Sequence, residues 1–360
     1  MRGADISQTK LFTSVSTSSL IPADHPLRQI REMANQALKD LSAVFNTCYS
    51  IMGRPSIPPE QIFRALIIQI FYSIRSERLL MENIQYNMLF RWFIGLSIDQ
   101  PVWNHSVYSK HRDDILKSDV TRQFFKLIVE QAKEANLLSD EHFTVDGTIL
   151  EAWASVKSVR PKDEEAPPPG PGRNNWTDFK GEKRTNQTHA STSDPESRLY
   201  RKSEGQTAKP SYLGHALMEN RHGLIEDVRV TQADGYAERE AALSMVASVT
   251  KENRMITLGT DKGYNSACFV ETLLHLRVMP HVPPKKGETG LLDSLSKTVG
   301  YKISNRIRKR VEKIFAWMKT IGPQRKARHR GKEKIGSMFL LTAAAYNLVR
   351  MRNLGLAATA

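Results

Sequence analysis

Cysteine is nearly missing from this sequence. The 360 residues include only Cys48 and Cys268, which lie far apart and outside any Cys-x-x-Cys spacing. Such a pair provides neither a disulfide framework nor a structural zinc site. We therefore expect a protein of the reducing cytoplasm that folds on an apolar core, and its length allows two domains.

Long apolar runs and phosphate-binding glycine loops are missing too. The most apolar stretch, residues 65–74, is about half as long as the roughly 20 residues that cross a membrane, and it includes Gln69. The N-terminus lacks the continuous apolar segment of a signal peptide. Because Gly-x-x-x-x-Gly-Lys-Ser/Thr does not occur, nucleotide hydrolysis is not supported. We expect no membrane partner and no secretion.

Acidic residues are outnumbered by basic ones. Lys and Arg number 52 against 38 Asp and Glu, which gives a net charge of +14. This excess favours a polyanionic partner, with nucleic acid as the leading candidate. A basic surface that serves solubility alone is the alternative.

The first third of the chain is predicted to be helical. Residues 1–26 are polar, rich in Ser and Thr, and expected to be loosely held. From Pro58 to Leu96 apolar residues recur every three or four positions, and Ser106 is expected to cap a further, basic helix. We predict a helical domain over residues 1–125 that binds DNA ends or pairs them. A packing or dimerisation domain is the alternative reading.

Residues 126–360 have the pattern of a mixed α/β sheet. A strand around Phe143 precedes a Pro- and Gly-rich segment, residues 157–197, that predicts a flexible loop. Strands and helices then follow in alternation. The predicted elements are a hairpin of 211–219 and 224–231, a helix over 237–249, a strand over 255–259, a helix over 267–276 and a strand over 278–282.

Two aspartates stand at places where strands can present them. Asp146 lies within the first strand of this region, and Asp261 directly follows the apolar strand 255–259. Phosphodiester cleavage by metal ions needs carboxylates that converge at one edge of a sheet. Taken singly, each aspartate is more often a cap or turn residue, so the pair needs a third element.

That third element is a helix predicted over residues 304–319. Ile307, Val311, Ile314 and Met318 form its apolar stripe, and Asn305, Arg308, Glu312 and Lys319 share a second face. Glu312 is therefore expected to face a cleft, although a simple salt bridge with Arg308 is the alternative.

A strip of basic residues surrounds Glu312. From Lys302 to Lys334 there are thirteen Lys or Arg residues and two Glu. A strip of this kind favours phosphate contacts that weaken with salt. The predicted DNA-binding residues are Asn305, Arg308, Arg310, Lys319, Arg325, Lys326, Arg328 and Arg330. By contrast, His215 and His222 lack a metal-ligand spacing, so structural or DNA-contact roles are expected for them.

These segments resemble the DDE transposases of bacterial insertion sequences, in particular the group typified by insertion sequence five. The resemblance spans nearly the whole chain and is carried by Val145-Asp146-Gly147-Thr148, by Thr260-Asp261-Lys262-Gly263-Tyr264 and by residues 308–319. The family pattern is Tyr, two residues, Arg, three residues, Glu, six residues, Lys. Arg308, Glu312 and Lys319 fit this pattern, whereas Asn305 stands at the tyrosine position.

The resemblance implies a ribonuclease H-like catalytic core over residues 126–360, preceded by the helical domain. Asp146, Asp261 and Glu312 would hold two Mg²⁺ ions, for which Mn²⁺ can substitute. The implied activity is cleavage at the ends of an insertion sequence and strand transfer into target DNA, by a homodimer on double-stranded DNA near the bacterial nucleoid. A transposase-derived DNA-binding protein that has lost its chemistry is the alternative.

Overall fold

The helices before the sheet form one bundle around a shared apolar core. The computed structural model describes residues 16–48, 56–117, 119–162, 185–201, 205–250 and 254–355. The first helices are α1 (Leu27–Asp40), α2 (Ser42–Cys48), α3 (Pro59–Phe71), α4 (Glu77–Tyr86), α5 (Met88–Ile94), α6 (His105–Leu116) and α7 (Val120–Glu134). Proline in the first turn begins α3, and side chains of Ser76 and Asn87 cap α4 and α5. Trp92 and Phe93 are buried in the core.

Two departures from the sequence-based expectation fall in this region. Asn104, and not Ser106, caps α6, because its side-chain oxygen accepts a hydrogen bond from the Ser106 N–H at 2.9 Å. The described part of the segment 1–26 is not loose, since Arg28 donates hydrogen bonds to the carbonyls of Ser18, Ile21 and Pro22. Residues 1–15 lie outside the described residues.

A mixed sheet follows the helices. Its strands are β1 (His142–Glu151), β4 (Arg198–Tyr200), β5 (Lys209–Glu219), β6 (Ile225–Gln232), β7 (Ile256–Gly259) and β8 (Val278–His281). The five longest stand in the order β6-β5-β1-β7-β8. Here β1, β5 and β6 pair antiparallel, whereas β7 and β8 run parallel to β1. This order and these directions define the ribonuclease H-like fold, so the predicted fold class is confirmed.

Helices cover both faces of the sheet. α8 (Ala237–Val249) and α9 (Ala267–His275) pack with Phe143 and Val145 on one face, while α12 (Arg310–Thr320) and α13 (Lys332–Asn353) pack on the other. Asn347 joins α13 to β6: its side-chain oxygen accepts a hydrogen bond from the Ile225 N–H, and its side-chain nitrogen donates one to the Ile225 carbonyl. One apolar cluster joins this second face to the N-terminal helices. The predicted domain boundary at residues 125–126 falls inside α7 and stays a prediction.

The helix expected over residues 304–319 is two helices. α10 (Leu291–Ser296) and α11 (Val299–Arg308) precede α12, and Lys309 separates α11 from α12. Apolar residues continue at helical spacing through the break, but the two helices pack against different neighbours. Ser304 of α11 lies against the sheet at Gly259, whereas Val311 and Phe315 of α12 join the core that contains α13. Each helix therefore takes its direction from a different neighbour.

The segment expected to be a flexible loop has ordered ends. β2 (Val159–Pro161) pairs antiparallel with β3 (His189–Ser191), and the hydroxyls of Ser158 and Ser191 are 2.8 Å apart. The two ends of the segment are therefore held together by backbone pairing. Residues 163–184, with the Pro- and Gly-rich stretch, lie outside the described residues.

Candidate active site

Asp146 lies within β1, and Asp261 directly follows the neighbouring strand β7. In the parallel ladder of β1 and β7, Thr144 is level with Gly259. Asp146 and Asp261 each come two residues later, and Asp261 still has extended backbone. Because side chains repeat every two residues along extended backbone, this offset puts both carboxylates on the same face of the sheet, just beyond the last paired residues of β1 and β7.

Local hydrogen bonds orient both carboxylates. Oδ1 of Asp146 accepts from the Gly147 N–H at 2.8 Å. Oδ1 of Asp261 accepts from the Gly263 N–H, also at 2.8 Å, and so caps the short 3-10 turn of residues 262–264. In each case one carboxylate oxygen is engaged by the backbone, which restricts the side chain to a few orientations. These oxygens are ligands that Mg²⁺ prefers.

Glu312 is not gathered with the aspartates. It lies in the first turn of α12 and is exposed, while its neighbour Val311 is fully buried. Across the described residues, no three His, Cys, Asp or Glu side chains stand close enough together to hold a metal ion. The trio of Asp146, Asp261 and Glu312 therefore stays a prediction.

Sequence reasoning missed two residues in this region of the sheet. Glu238, in the first turn of α8, lies over Gly147 so closely that a methyl group on that glycine would be 2.9 Å from the Glu238 Oε1. Tyr264 is 1% exposed, and its hydroxyl has no hydrogen-bond partner within the described residues. Burial, and then Glu238, Asp146 and Asp261, raise the pKa of Tyr264 well above its usual value. No local pattern marks Glu238, because only the tertiary fold brings α8 to β1.

The residues on α11 and α12 predicted to bind DNA differ in how accessible they are. Asn305 and Arg310 are exposed, whereas Arg308 and Lys319 are half-buried. One guanidinium nitrogen of Arg310 donates to the carbonyls of Asn220 and Arg221, at 3.1 and 3.3 Å. Burial raises the pKa of Tyr301, and the charge of Arg308 opposes this rise, which places Tyr301 near Arg308. The Tyr301 ring therefore lies one helical turn before Asn305, which is the position of the tyrosine in the family pattern.

A second basic segment runs beside the end of β1. The Ala327 N–H donates to the Glu151 carbonyl at 2.7 Å, and the Glu151 N–H donates to the Arg325 carbonyl at 3.2 Å. Arg325, Lys326 and Arg330 are exposed, and Nζ of Lys326 lies 5.2 Å from the centre of the exposed Trp153 ring. This pairing places basic side chains at the same end of the sheet as the aspartates.

Arg328 points away from this surface. Its guanidinium donates to the Ile74 carbonyl at 2.5 Å, and burial lowers its pKa. The two histidines considered as ligands also have internal partners. His215 is buried with Nε2 2.8 Å from the Thr231 hydroxyl, and Nδ1 of His222 lies 2.7 Å from the Leu137 carbonyl. All three side chains therefore make contacts within the fold.

The comparisons with known families identify the class of protein. Residues 15–114 match the family described as "Transposase domain (DUF772)", so the N-terminal helices are those of a transposase. Residues 176–348 match the family described as "Transposase DDE domain". The two matches take in most of the chain, which belongs to the DDE transposases of insertion sequences. The second match includes Asp261 and Glu312 and begins after Asp146.

Among solved structures, a piggyBac transposase synaptic complex with hairpin DNA is 8% identical, with a TM-score of 0.45 over 96% of this chain and 79% of that chain. A pre-cleavage Mos1 transpososome is 10% identical, with a TM-score of 0.21 over 84% of this chain and 82% of that chain. Comparison with curated proteins finds no match. Among the described residues, none of the helices is long and apolar enough to cross a membrane.

Proposed function

We propose that this transposase cuts DNA at the ends of an insertion sequence of the group typified by insertion sequence five and joins them to target DNA. The observation that carries the proposal is that Asp146 and Asp261 each come two residues after the paired residues Thr144 and Gly259 of the adjacent parallel strands β1 and β7. In the catalytic pattern carried by the sequence, these two aspartates and Glu312 hold divalent cations, Mg²⁺ or Mn²⁺. Bound cations would supply Lewis-acid stabilisation of the attacking and leaving oxygens in an in-line displacement at phosphorus.

The chain's own residues would prepare the site for that displacement. Asp146 and Asp261 would bind the cations through carboxylates whose orientation is set by hydrogen bonds from the Gly147 and Gly263 N–H groups. Glu312 completes the set when α12 approaches bound DNA, because its exposed side chain is free to change rotamer. Arg308, at the end of α11, and Lys319, on α12, would neutralise phosphate charge without forming a bond to DNA.

The basic surface would hold the DNA substrate. Exposed Arg325, Lys326 and Arg330 contact the phosphates of element ends or of target DNA, and binding falls with salt because counterions are released. Trp153 beside Lys326 offers a flat apolar surface at the same place. Since two DNA ends must be held together before joining, we expect a homodimer on DNA, with the helices before the sheet contributing to end binding.

Cleavage of a labelled duplex that carries the terminal repeat flanking the gene tests this proposal. The parent protein should nick the duplex at the repeat boundary only when Mg²⁺ is present, and Glu312→Gln should reduce the rate by about a hundredfold or more. Glu333→Gln is the matched control, because Glu333 is also an exposed acid in the first turn of a helix.

Each outcome decides between named functions. Nicking by the parent and the control, with loss in Glu312→Gln, supports the trio and the transposase activity. Equal nicking by all three proteins removes Glu312 from the trio while the activity stands. Tight, salt-sensitive binding with no nicking by any of them favours a DNA-binding protein that has lost its chemistry.

A further inference from the structure

Trp153 is an exposed tryptophan just after the end of β1. It is 50% exposed, whereas the other tryptophans among the described residues are buried or half-buried, namely Trp92, Trp103 and Trp317. A single apolar side chain at a protein surface is ordinary by itself. The surroundings of the ring therefore decide whether it has a role.

The backbone presents the Trp153 ring to solvent. The preceding residue, Ala152, is buried, and its N–H donates to the Pro210 carbonyl at 2.9 Å. The following residue, Ala154, packs against the apolar core. Because both neighbours of Trp153 are held against the protein, the ring stands outward from an anchored segment.

Basic side chains stand beside the ring. Nζ of Lys326 lies 5.2 Å from the ring centre, and the preceding Arg325 is exposed as well. The backbone bridge between Glu151 and Lys326 holds this basic segment against the end of β1. An apolar ring next to cations suits a ligand that has both a flat π face and negative charge, and a nucleotide has both.

Tyr236 is a comparison within the same molecule. It is 70% exposed, and the Arg239 guanidinium lies 5.6 Å from its ring centre. However, the Tyr236 N–H donates to the Asp234 carboxylate at 2.8 Å, and Glu238 and Glu240 follow in the first turn of α8. Because acids repel phosphate, an exposed ring beside a cation is not sufficient for a nucleotide site. The basic surroundings are needed too.

We propose that Trp153 stacks on an unpaired base of the DNA, while Lys326 and Arg325 neutralise nearby phosphates. A tryptophan can stack face to face only on a base that has left the duplex, because neighbouring bases cover the faces of a paired one. The assignment rests on the proposed function and deepens it. It names the part of the substrate that this surface recognises, an unpaired base near the cut.

The position of Trp153 limits which bases it reaches. Trp153 follows Asp146 by seven residues along the chain. Seven residues of extended chain span at most about 25 Å, which is shorter than one turn of the duplex, about 34 Å. The stacked base is therefore expected within one helical turn of the cut.

Binding of the full-length protein to two DNAs, measured by fluorescence anisotropy without divalent cations, tests the assignment without measuring activity. One DNA is the fully paired terminal repeat with its flank, and the other has a short run of unpaired bases next to the cut. The parent should bind the second DNA about tenfold more tightly. Trp153→Ala should lose this preference and bind the paired duplex as the parent does. Tyr236→Ala is the matched control and should keep the preference.

Two conservative variants keep the test decisive if Trp153→Ala is poorly folded. Trp153→Phe keeps a flat ring and should retain most of the preference, whereas Trp153→Leu keeps an apolar side chain without a ring and should lose it. Single-stranded DNA should also quench the indole emission of the parent, and this quenching should be smaller in Trp153→Phe.

Three outcomes overturn the assignment. The first is a parent that binds both DNAs alike, and the second is an undiminished preference in Trp153→Leu. The third is equal weakening of both DNAs by Trp153→Ala, which would make Trp153 a general contact and not a stacking residue.

The same binding data separate this assignment from the proposed function. If the parent nicks end DNA but shows no preference for unpaired bases, stacking on Trp153 is excluded and the transposase activity stands. If the parent neither binds nor nicks end DNA, the proposed function itself fails and the assignment falls with it.

Discussion

The strands and the helices of the site hold their functional residues in different ways. Asp146 lies within β1, and Asp261 directly follows β7 and caps the 3-10 turn after it, so the backbone of both is fixed by regular hydrogen bonding around it. Glu312 and most of the basic residues lie on exposed helix faces or in the segment after α12, where side chains reorient at little cost. We therefore expect the aspartate pair to be in place before DNA binds, and the helix-borne groups to take their positions on DNA.

The basic segment of residues 325–330 repeats this difference on a smaller scale. Arg325, Lys326 and Arg330 are exposed, but Arg328 between them is bonded to Ile74 of the N-terminal helical region. Neighbours in a charged run can therefore have opposite roles, one towards solvent and DNA and the other within the protein. A count of charges in the sequence does not separate them.

The largest expected effect concerns the strand-borne pair. Asp261→Asn removes a charge from the cation site but keeps the shape that caps the turn after β7, so cleavage of end DNA should fall by about a thousandfold or more while end binding is retained. Rates from single-turnover cleavage and affinities from band shifts measure the two properties. Asp293→Asn, at an exposed ion pair in α10, is the control and should cleave normally. Undiminished cleavage by Asp261→Asn would contradict the distinction between the acids held by the strands and the adjustable side chains on the helices.

An intermediate effect is expected from the basic segment. Arg325→Ala removes an exposed phosphate contact and should reduce the slope of log affinity against log salt by about one, with unchanged stability. Arg328→Ala should instead lower the free energy of unfolding by about 1–2 kcal/mol and leave the salt slope unchanged, because its hydrogen bond to Ile74 is lost. Salt-dependent binding and urea unfolding measure both variants. Identical behaviour of the two arginines would contradict their assignment to different surfaces.

A further prediction concerns stability alone and His215, a buried group outside the site. Burial lowers its pKa from 6.5 to about 4, with Asp234 acting in the opposite direction. Between these values the unfolded chain binds a proton that the folded chain does not, so stability falls as the pH falls from 6.5 towards 4. The slope is about 1.4 kcal/mol per pH unit at most.

Urea unfolding at several pH values measures this contribution. His215→Gln cannot take up the proton, so its unfolding free energy should depend less on pH between 6.5 and 4 than that of the parent. Above pH 6.5 His215 adds no pH dependence in the parent either, and the two slopes should agree. An unchanged slope in His215→Gln would assign the acid sensitivity to other groups. His329, whose pKa burial also lowers to about 4, provides the natural comparison.

The elements around the site were largely predictable from the sequence. The hairpin of β5 and β6, the helix α8 and the strand β7 all follow from local period and turn residues, and each lies within a few residues of its predicted bounds. The break at Lys309 was not predictable, because the apolar period continues across it while the packing partners change. The ordered pairing of β2 and β3 was missed for a similar reason, since short polar strands have no apolar alternation to reveal them.

The candidate site also has features that the sequence predicts and features that only the tertiary structure decides. By itself the sequence determined the residue types, the two aspartates at strand positions and the basic strip, because these depend on local period and composition. Only the tertiary structure decided that β7 runs beside β1, so that Asp146 and Asp261 share one face of the sheet, that Arg328 turns inward and that Glu238 lies over Gly147. Those facts depend on strand register and on which helix covers which face, and both are set by contacts between residues that are distant in the chain.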